Sequence, residues 1–242
     1  MADIRALVAA AGRGSRAGLP YPKTLFPIQG KPILLRIHEV LARYDATPTV
    51  IVSPEGFTPV EQCLAEANRS AHLVIQAEPR GMGDAVLQFE RSPASGEAEH
   101  VLLVWGDIPF LQPETVSRLV EAHVADGNDF TFATKHVASA YTVVSRDVAG
   151  NVQRLLETRE AGIGQSQPGE RDIGLFVFRR DAVLPVLHED LPGKRGRHTG
   201  EHGFLYVVEH LAARGRRVQG LPIATELDLV SLNSIQDVRD YL

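Results

Sequence analysis

The sequence predicts an α/β protein of Rossmann-like type: a mixed, mostly parallel sheet flanked by helices, with a small antiparallel extension in its second half. Three observations carry this. Short apolar or β-branched runs at 4–9, 49–52, 73–76 and 101–105 have the texture of strands buried on both faces. Segments of helical spacing alternate with them, which implies parallel strands joined by right-handed crossovers. From Phe130 the texture changes, and strands at 130–135, 141–144 and 152–157 follow one another through polar turns with no helix between.

The first strand (IRALVA) empties into Ala10, Ala11, Gly12, Arg13, Gly14, Ser15 and Arg16. Small residues at 10 and 11, and no side chain at 12 or 14, let backbone N–H groups come close to an anion, polyphosphate being the candidate. Lys23 follows Pro22, whose fixed φ leaves the preceding chain extended and limits where the ammonium can point. Arg16 and Lys23 can then both face phosphates. A plain glycine turn is the alternative. The loop is neither a dinucleotide fingerprint, because Ala17 stands at the third glycine, nor a Walker loop, because no Gly-Lys-Ser/Thr follows at the required spacing.

Apolar Ile33, Leu34, Ile37, Val40 and Leu41 predict a helix over 33–44, with Pro32 acceptable at its start. Helices are expected at 59–68 and from Asp84 to about Glu90, the second following a loop, QAEPRGMG, at a strand's end. Ligands of open α/β sheets sit at the carboxyl ends of strands, so this loop should neighbour the first. The stretch 91–99 reads as a polar surface connection. The strand VLLVW ends in Gly106-Asp107, and that aspartate is either a cap for the next helix or a metal ligand. A helix over 113–125 starts with acidic Glu114. A strand at 173–178, a basic loop at 192–203, a helix at 204–214, a strand at 216–223 and a short helix near 235–242 complete the chain. One domain, 1–242, is expected, with a nucleotide-binding half (1–128) and an acceptor-binding half (129–242).

At 242 residues the chain is long enough to bury a proper core. Its net charge of −5 argues against a general nucleic-acid binder, so any anion site must be local. The single cysteine, Cys63, excludes an intramolecular disulfide and a multi-cysteine zinc site, and a reducing cytoplasm is the expected home. No apolar run approaches a membrane span, so a soluble, unexported protein is expected.

Residues 7–33, LVAAAGRGSRAGLPYPKTLFPIQGKPI, resemble the L-A-A-G-x-G-[TS]-R, P-K and G-K-P-[ML]-[IL] signature of the sugar-1-phosphate nucleotidylyltransferases. Within the MobA-like NTP transferase superfamily, the chain is similar in particular to the N-acetylglucosamine-1-phosphate uridylyltransferase domain. The resemblance runs over nearly the whole chain and implies a role for each matching residue. Ala10, Ala11, Gly12, Gly14, Gln76, Gly81 and Asp107 would bind the nucleotide, with Gln76 and Gly81 at the uracil base. Asp107 of the Gly-Asp pair and Asn233 of VSLNS would hold Mg²⁺. Arg16 would act on the leaving pyrophosphate and Lys23 on the phosphates of donor and acceptor, both as catalytic cations.

Tyr141, Glu157, Asp172 and Gly174 would line the acceptor pocket. Here the chain departs from the family, with Asp172 for an asparagine, Ile173 for a threonine, Met82 for a threonine beside the base loop, and Tyr141 near a glycine that backs the amino sugar. An aspartate cannot donate as an amide does, and a tyrosine fills space. An acceptor other than N-acetylglucosamine phosphate is compatible with these changes.

The chemistry supports the same assignment. Attack of a sugar phosphate on the α-phosphorus of a nucleoside triphosphate brings two polyanions together, so cations are the central requirement. No base is obligatory, because the attacking oxygen is already ionised. The expected partners are a nucleoside triphosphate, most simply UTP, and a hexose- or amino-sugar-1-phosphate, with no nucleic acid and no membrane. A cytidylyltransferase for a phosphoalcohol keeps the fold with another acceptor, and a non-catalytic nucleotide sensor would have less need of both Lys23 and Asp107. A rival of different class is a zinc peptidase using His198, Glu201 and His202 of H-x-x-E-H. That pattern needs a helix, and Gly196, Gly200 and Gly203 disfavour one.

Overall fold

Alternate residues of the first strand feed two separate cores: Leu7 and Ala9 pack in one, Ala6 and Val8 in the other. A strand with no polar face must lie inside a covered sheet. In the computed structural model, which describes residues 3–12, 14, 18–158, 160 and 167–242, this strand, β1 (Ile4–Ala9), lies within a seven-stranded sheet. A tight hairpin of β2 (Pro27–Ile28) and β3 (Lys31–Pro32) turns through Gln29 and Gly30, both with positive φ. It leads into α1 (Ile33–Leu41), which buries Ile33, Leu34, Ile37 and Leu41.

The chain then builds outward on one side of β1, through β4 (Thr49–Val52), α2 (Pro54–Glu66) and β5 (His72–Ile75), each strand parallel to its neighbour. After α3 (Met82–Leu87) it returns to the other side of β1 as β6 (His100–Trp105). The order of strands therefore reverses between β1 and β6, and a crevice opens beyond their carboxyl ends. The remaining elements are α4 (Pro113–Ala125), β7 (Phe130–Ala140), β8 (Thr142–Arg146), β9 (Val152–Glu157), β10 (Gln167–Arg179), α5 (Arg180–His188), α6 (Val207–Ala213) and β11 (Val218–Leu221). The sheet order is β11-β7-β10-β6-β1-β4-β5, and of these seven strands β10 runs against the rest. Helices α1, α2 and α4 cover one face, and α3, α5 and α6 the other.

In the second half, α5 is a helix for which the sequence reading placed no element, and the strands assort differently from expectation. Strands β7, β10 and β11 are full members of the main sheet, and the separate antiparallel piece is the β8–β9 hairpin. The reason is that β10 hydrogen-bonds to β6 from Leu175↔Val104 onward, a pairing set by tertiary contact. Helix α2 starts at Pro54 rather than Pro59, because Ser53 caps it by accepting from the Gly56 N–H at 3.1 Å. The connection at 91–99 is not all surface: Ser92, Ala94, Ser95 and Ala98 are buried, and the Ser92 hydroxyl meets that of Thr49 at 2.6 Å. No helix among the described residues is long and apolar enough to cross a membrane.

Candidate active site

Both sides of the crevice are made of small residues. A Cβ on Gly106 would stand 3.0 Å from the Cα and Cβ of Ala10, so the ends of β1 and β6 approach closely only because both positions are nearly bare. At Gly12 a Cβ would meet nothing within 4 Å, which leaves room for a ligand against its backbone. Gly14 is there for another reason: its carbonyl accepts from the Leu19 N–H at 3.0 Å, and a side chain would strike Leu19 and Tyr21. Arg16, assigned to pyrophosphate, lies outside the described residues.

Ala10, Gly12, Lys23, Thr24, Met82, Trp105, Gly106, Asp107 and Asn233 line a cleft of about 220 Å³. Lys23 Nζ is 3.6 Å from Asp107 Oδ2, with the two side chains 13% and 25% exposed. Cation and carboxylate thus face the same space and stay reachable by solvent. The Leu232 N–H donates to the Asp107 carbonyl at 2.9 Å, and this backbone tie brings Asn233 beside Asp107. Asn233 does not cap the last helical turn; Ser234 does, in a reciprocal box with Asp237. The Asn233 NH₂ donates to Ser231 Oγ at 2.8 Å, so the atom it can offer a cation is its amide oxygen.

Two cleft residues carried no expectation from sequence. Among the described residues, the buried Trp105 Nε1 and Thr24 Oγ1 have no hydrogen-bond partner, an expensive condition for buried polar atoms and one that recurs at functional sites. Their sequence signal was position alone: Trp105 precedes Gly106-Asp107, and Thr24 follows Lys23.

The 76–83 loop is held from two directions. Gln76 is buried, and its NH₂ donates to the Gly81 carbonyl at 3.1 Å and to Asp84 Oδ2 at 2.7 Å, closing the loop on itself. From outside, the His202 N–H donates to the Arg80 carbonyl at 2.7 Å and the Gly83 N–H to the His202 carbonyl at 2.9 Å. Gly81, at φ +105°, and Gly83 leave no room for a side chain against His202 and Gly203. Burial, then the charges of Lys194 and Arg195, push the His202 imidazole down to about 4, which keeps it neutral. The segment from His198 to His202 is a turn ending in an isolated bridge, so the helix that a zinc-peptidase pattern requires is not formed there.

The acceptor candidates gather on the wall beyond β6. Gly174, at φ +77°, lies against the Trp105 ring, where a Cβ would be 2.7 Å from Cε3. Asp172 is wholly buried in β10 and accepts from Thr142 Oγ1 at 2.5 Å and from the Gly174 N–H at 2.9 Å, while burial pushes its carboxyl up. It braces the wall with both oxygens engaged. Glu157 ends β9 opposite Thr142 and is exposed. Tyr141 is 39% exposed, yet its hydroxyl end is shielded: burial raises its pKa first, the charges of Asp172, Asp107 and Glu157 raise it further, and Arg171 opposes them.

The profile of the MobA-like NTP transferase domain matches residues 6–169. The chain belongs to this family. Among curated relatives, the bifunctional protein GlmU of Symbiobacterium thermophilum is 32% identical over 96% of this chain and 49% of its own length. The GlmU of Gloeobacter violaceus is 31% identical over 98% of this chain and 48% of its own. The chain thus spans about half the length of the curated relatives it matches. Among solved structures, a Bacillus anthracis chain named as a glucose-1-phosphate thymidylyltransferase and crystallised with sucrose has a TM-score of 0.77. It is 16% identical, over 98% of this chain and 93% of that one, and the likeness is one of fold.

Proposed function

We propose that this MobA-like NTP transferase domain transfers a nucleotidyl group to a sugar-1-phosphate, releasing pyrophosphate, with UTP and a hexose- or amino-sugar-1-phosphate as the favoured pair. The observation that carries the reading is the pairing of Lys23 with Asp107 across a cleft built between β1 and β6, where bare glycine and alanine backbone leaves room for phosphates. Residues 1–128 would hold the nucleotide and 129–242 the acceptor.

In this reaction an ionised oxygen of the acceptor phosphate attacks the α-phosphorus. The bond from the α-phosphorus to its bridging oxygen breaks, and pyrophosphate leaves with the electron pair. No proton moves. Lys23 would neutralise the approaching phosphates, and Arg16, by its position in the sequence of the glycine loop, would stabilise the departing pyrophosphate. Both act by position and charge, with effects of roughly a hundredfold or more each if they resemble loss of one strong electrostatic donor. The carboxylate of Asp107 and the amide oxygen of Asn233 form a hard-oxygen pair that suits Mg²⁺, an ion that keeps several of its waters. When bound, that ion would supply further neutralisation of phosphate charge. Gln76, Gly81 and the loop they close would hold the base, and Tyr141, Glu157, Asp172 and Gly174 would shape the acceptor wall.

A matrix of nucleoside triphosphates against sugar-1-phosphates and phosphoalcohols, with Mg²⁺ and read by pyrophosphate release, tests the proposal. Release with a sugar-1-phosphate supports it. Release only with a phosphoalcohol and CTP transfers the reading to a cytidylyltransferase, and release with none rejects it.

A further inference from the structure

Pairing of β10 with β6 begins at Leu175↔Val104, whereas its pairing with β7 continues back to Gln167↔Ala140. Residues 167–174 of β10 therefore project past the end of β6, on the side where Gly106 and Asp107 follow. Arg171 sits on this projecting piece. It is only 9% exposed, yet its hydrogen-bond partners are neutral: Nε donates to the Asp172 carbonyl at 3.0 Å and Nη2 to the Tyr141 hydroxyl at 2.8 Å. Its guanidinium carbon lies 4.0 Å from the Tyr141 ring centroid. Among the described residues no carboxylate forms an ion pair with it, although burying a charge without a counter-ion is costly.

The register adds a second observation. Arg171 stands directly opposite Lys135 on β7, so two cations share one face of an antiparallel pair, an arrangement that is destabilising in isolation. Lys135 has Glu226 at 3.2 Å; Arg171 has no such partner among the described residues. Neighbours fix the guanidinium in place: Tyr141 stacks on it, and Asp172 is locked to Thr142 and Gly174. A rigid, nine-tenths buried guanidinium on the part of β10 that overshoots β6, with no ion pair among the described residues, has the form of an anion receptor.

We propose that Arg171 binds an anionic group of the acceptor, a phosphate or carboxylate, and is a specificity-determining residue of the acceptor wall. This deepens the nucleotidyltransfer reading given above and takes from it that the cleft holds an acceptor. The anion has two possible sources on such a substrate: the phosphate that attacks, or a second negative group at the far end of the sugar.

The test reads binding without turnover, so its outcome is separate from that of the pyrophosphate matrix. Glucose-1-phosphate, glucuronic acid 1-phosphate and inorganic phosphate are titrated into the protein by calorimetry, alongside the emission of Trp105, the chain's single tryptophan, which packs against Gly174. Arg171→Gln is expected to weaken binding roughly ten- to hundredfold, the effect of losing a hydrogen bond to a charged group. It should also flatten the fall of affinity with added salt. Arg171→Lys should lose less. Equal weakening of both sugar phosphates assigns the anion to the reacting phosphate, and weakening confined to the glucuronic acid derivative assigns it to the distal carboxylate.

The proposal is overturned if the wild-type protein takes up none of the three probes, or if Arg171→Gln stays within twofold of wild type for all of them. It is equally overturned if both variants lose affinity alike while keeping the wild-type salt dependence, since Arg171 would then be a prop for Tyr141. Should Arg171→Gln fail to fold, Arg171→Lys decides: a wild-type salt slope with affinity lowered less than about tenfold would support charge recognition, and a loss of about tenfold or more at that same slope would reject it.

Discussion

The clamp between the 76–83 loop and the 192–203 loop can be opened with one methyl group. In Gly83→Ala the new Cβ would overlap the Gly203 carbonyl oxygen and lie 2.6 Å from His202 Cδ2. Carbon atoms rest at about 3.5 Å or more, so the His202 ring and backbone must retreat by about 1 Å. That retreat breaks or stretches the bonds from His202 N–H to Arg80 and from Gly83 N–H to His202, now 2.7 and 2.9 Å. Two backbone hydrogen bonds at about 0.5–1.5 kcal/mol each give a loss of about 1–3 kcal/mol. For a chain of this size that is a fall in Tm of roughly 2–12 °C. Because the same loop carries Gln76 and Gly81, KM for the nucleoside triphosphate should rise while KM for the acceptor changes less. The control is Gly96→Ala, where a Cβ meets nothing within 4 Å, and which should leave Tm level or slightly raised. Scanning calorimetry and initial rates of pyrophosphate release make the comparison. Equal Tm and equal nucleotide KM in the two variants would refute the clamp.

Buried groups supply two further outcomes. His123 is fully buried, bonded to His100 at 2.9 Å and to Thr131 at 2.8 Å, and burial, then the charges of His100 and Arg179, push it down from 6.5 to about 3. The native state refuses a proton that the unfolded chain accepts below pH 6.5, so stability should fall as pH drops from 6.5 toward 3. The slope is about 1.4 kcal/mol per pH unit, or about 2 kcal/mol by pH 5. Urea unfolding from pH 7 to 5 should show it, and His123→Asn should flatten it; an unchanged slope would reject the assignment. In Gly174→Ala, the added Cβ and the positive φ both oppose the native backbone, and the displaced ring should shift Trp105 emission and lower acceptor affinity. An emission spectrum identical to wild type would show that the wall tolerates the change.

How far the sequence could be read depended on whether the deciding contacts were local. Strands β1, β4 and β9 and helix α4 lie where their periodicity places them, because each apolar pattern is complete within its own segment. That the glycine loop, Lys23 and Asp107 share one cleft was legible because backbone bareness and charge are properties of single positions. Helix α5 was not, since Pro185 inside it masks the helical signal. Nor was the membership of β10 in the main sheet, nor the burial of Asp172 and Arg171: strand pairing and its overshoot past β6 are set by partners 27 residues or more away. The basic loop from Pro192 to Gly203 was visible as a motif, but its docking on Arg80 and Gly83 is a contact between distant segments.

Neutralisation of phosphate charge by Lys23 and by a cation held at Asp107 is the central claim, and a rate measurement reaches it most directly. With a productive pair of nucleoside triphosphate and acceptor phosphate, pyrophosphate release by Lys23→Ala and by Asp107→Ala is compared with the parent, with Tm measured alongside. Both side chains are partly open to solvent and 3.6 Å apart, so folding should be nearly unchanged. Release should fall roughly a hundredfold or more in each variant. Folded variants that release pyrophosphate at the parent's rate would contradict it.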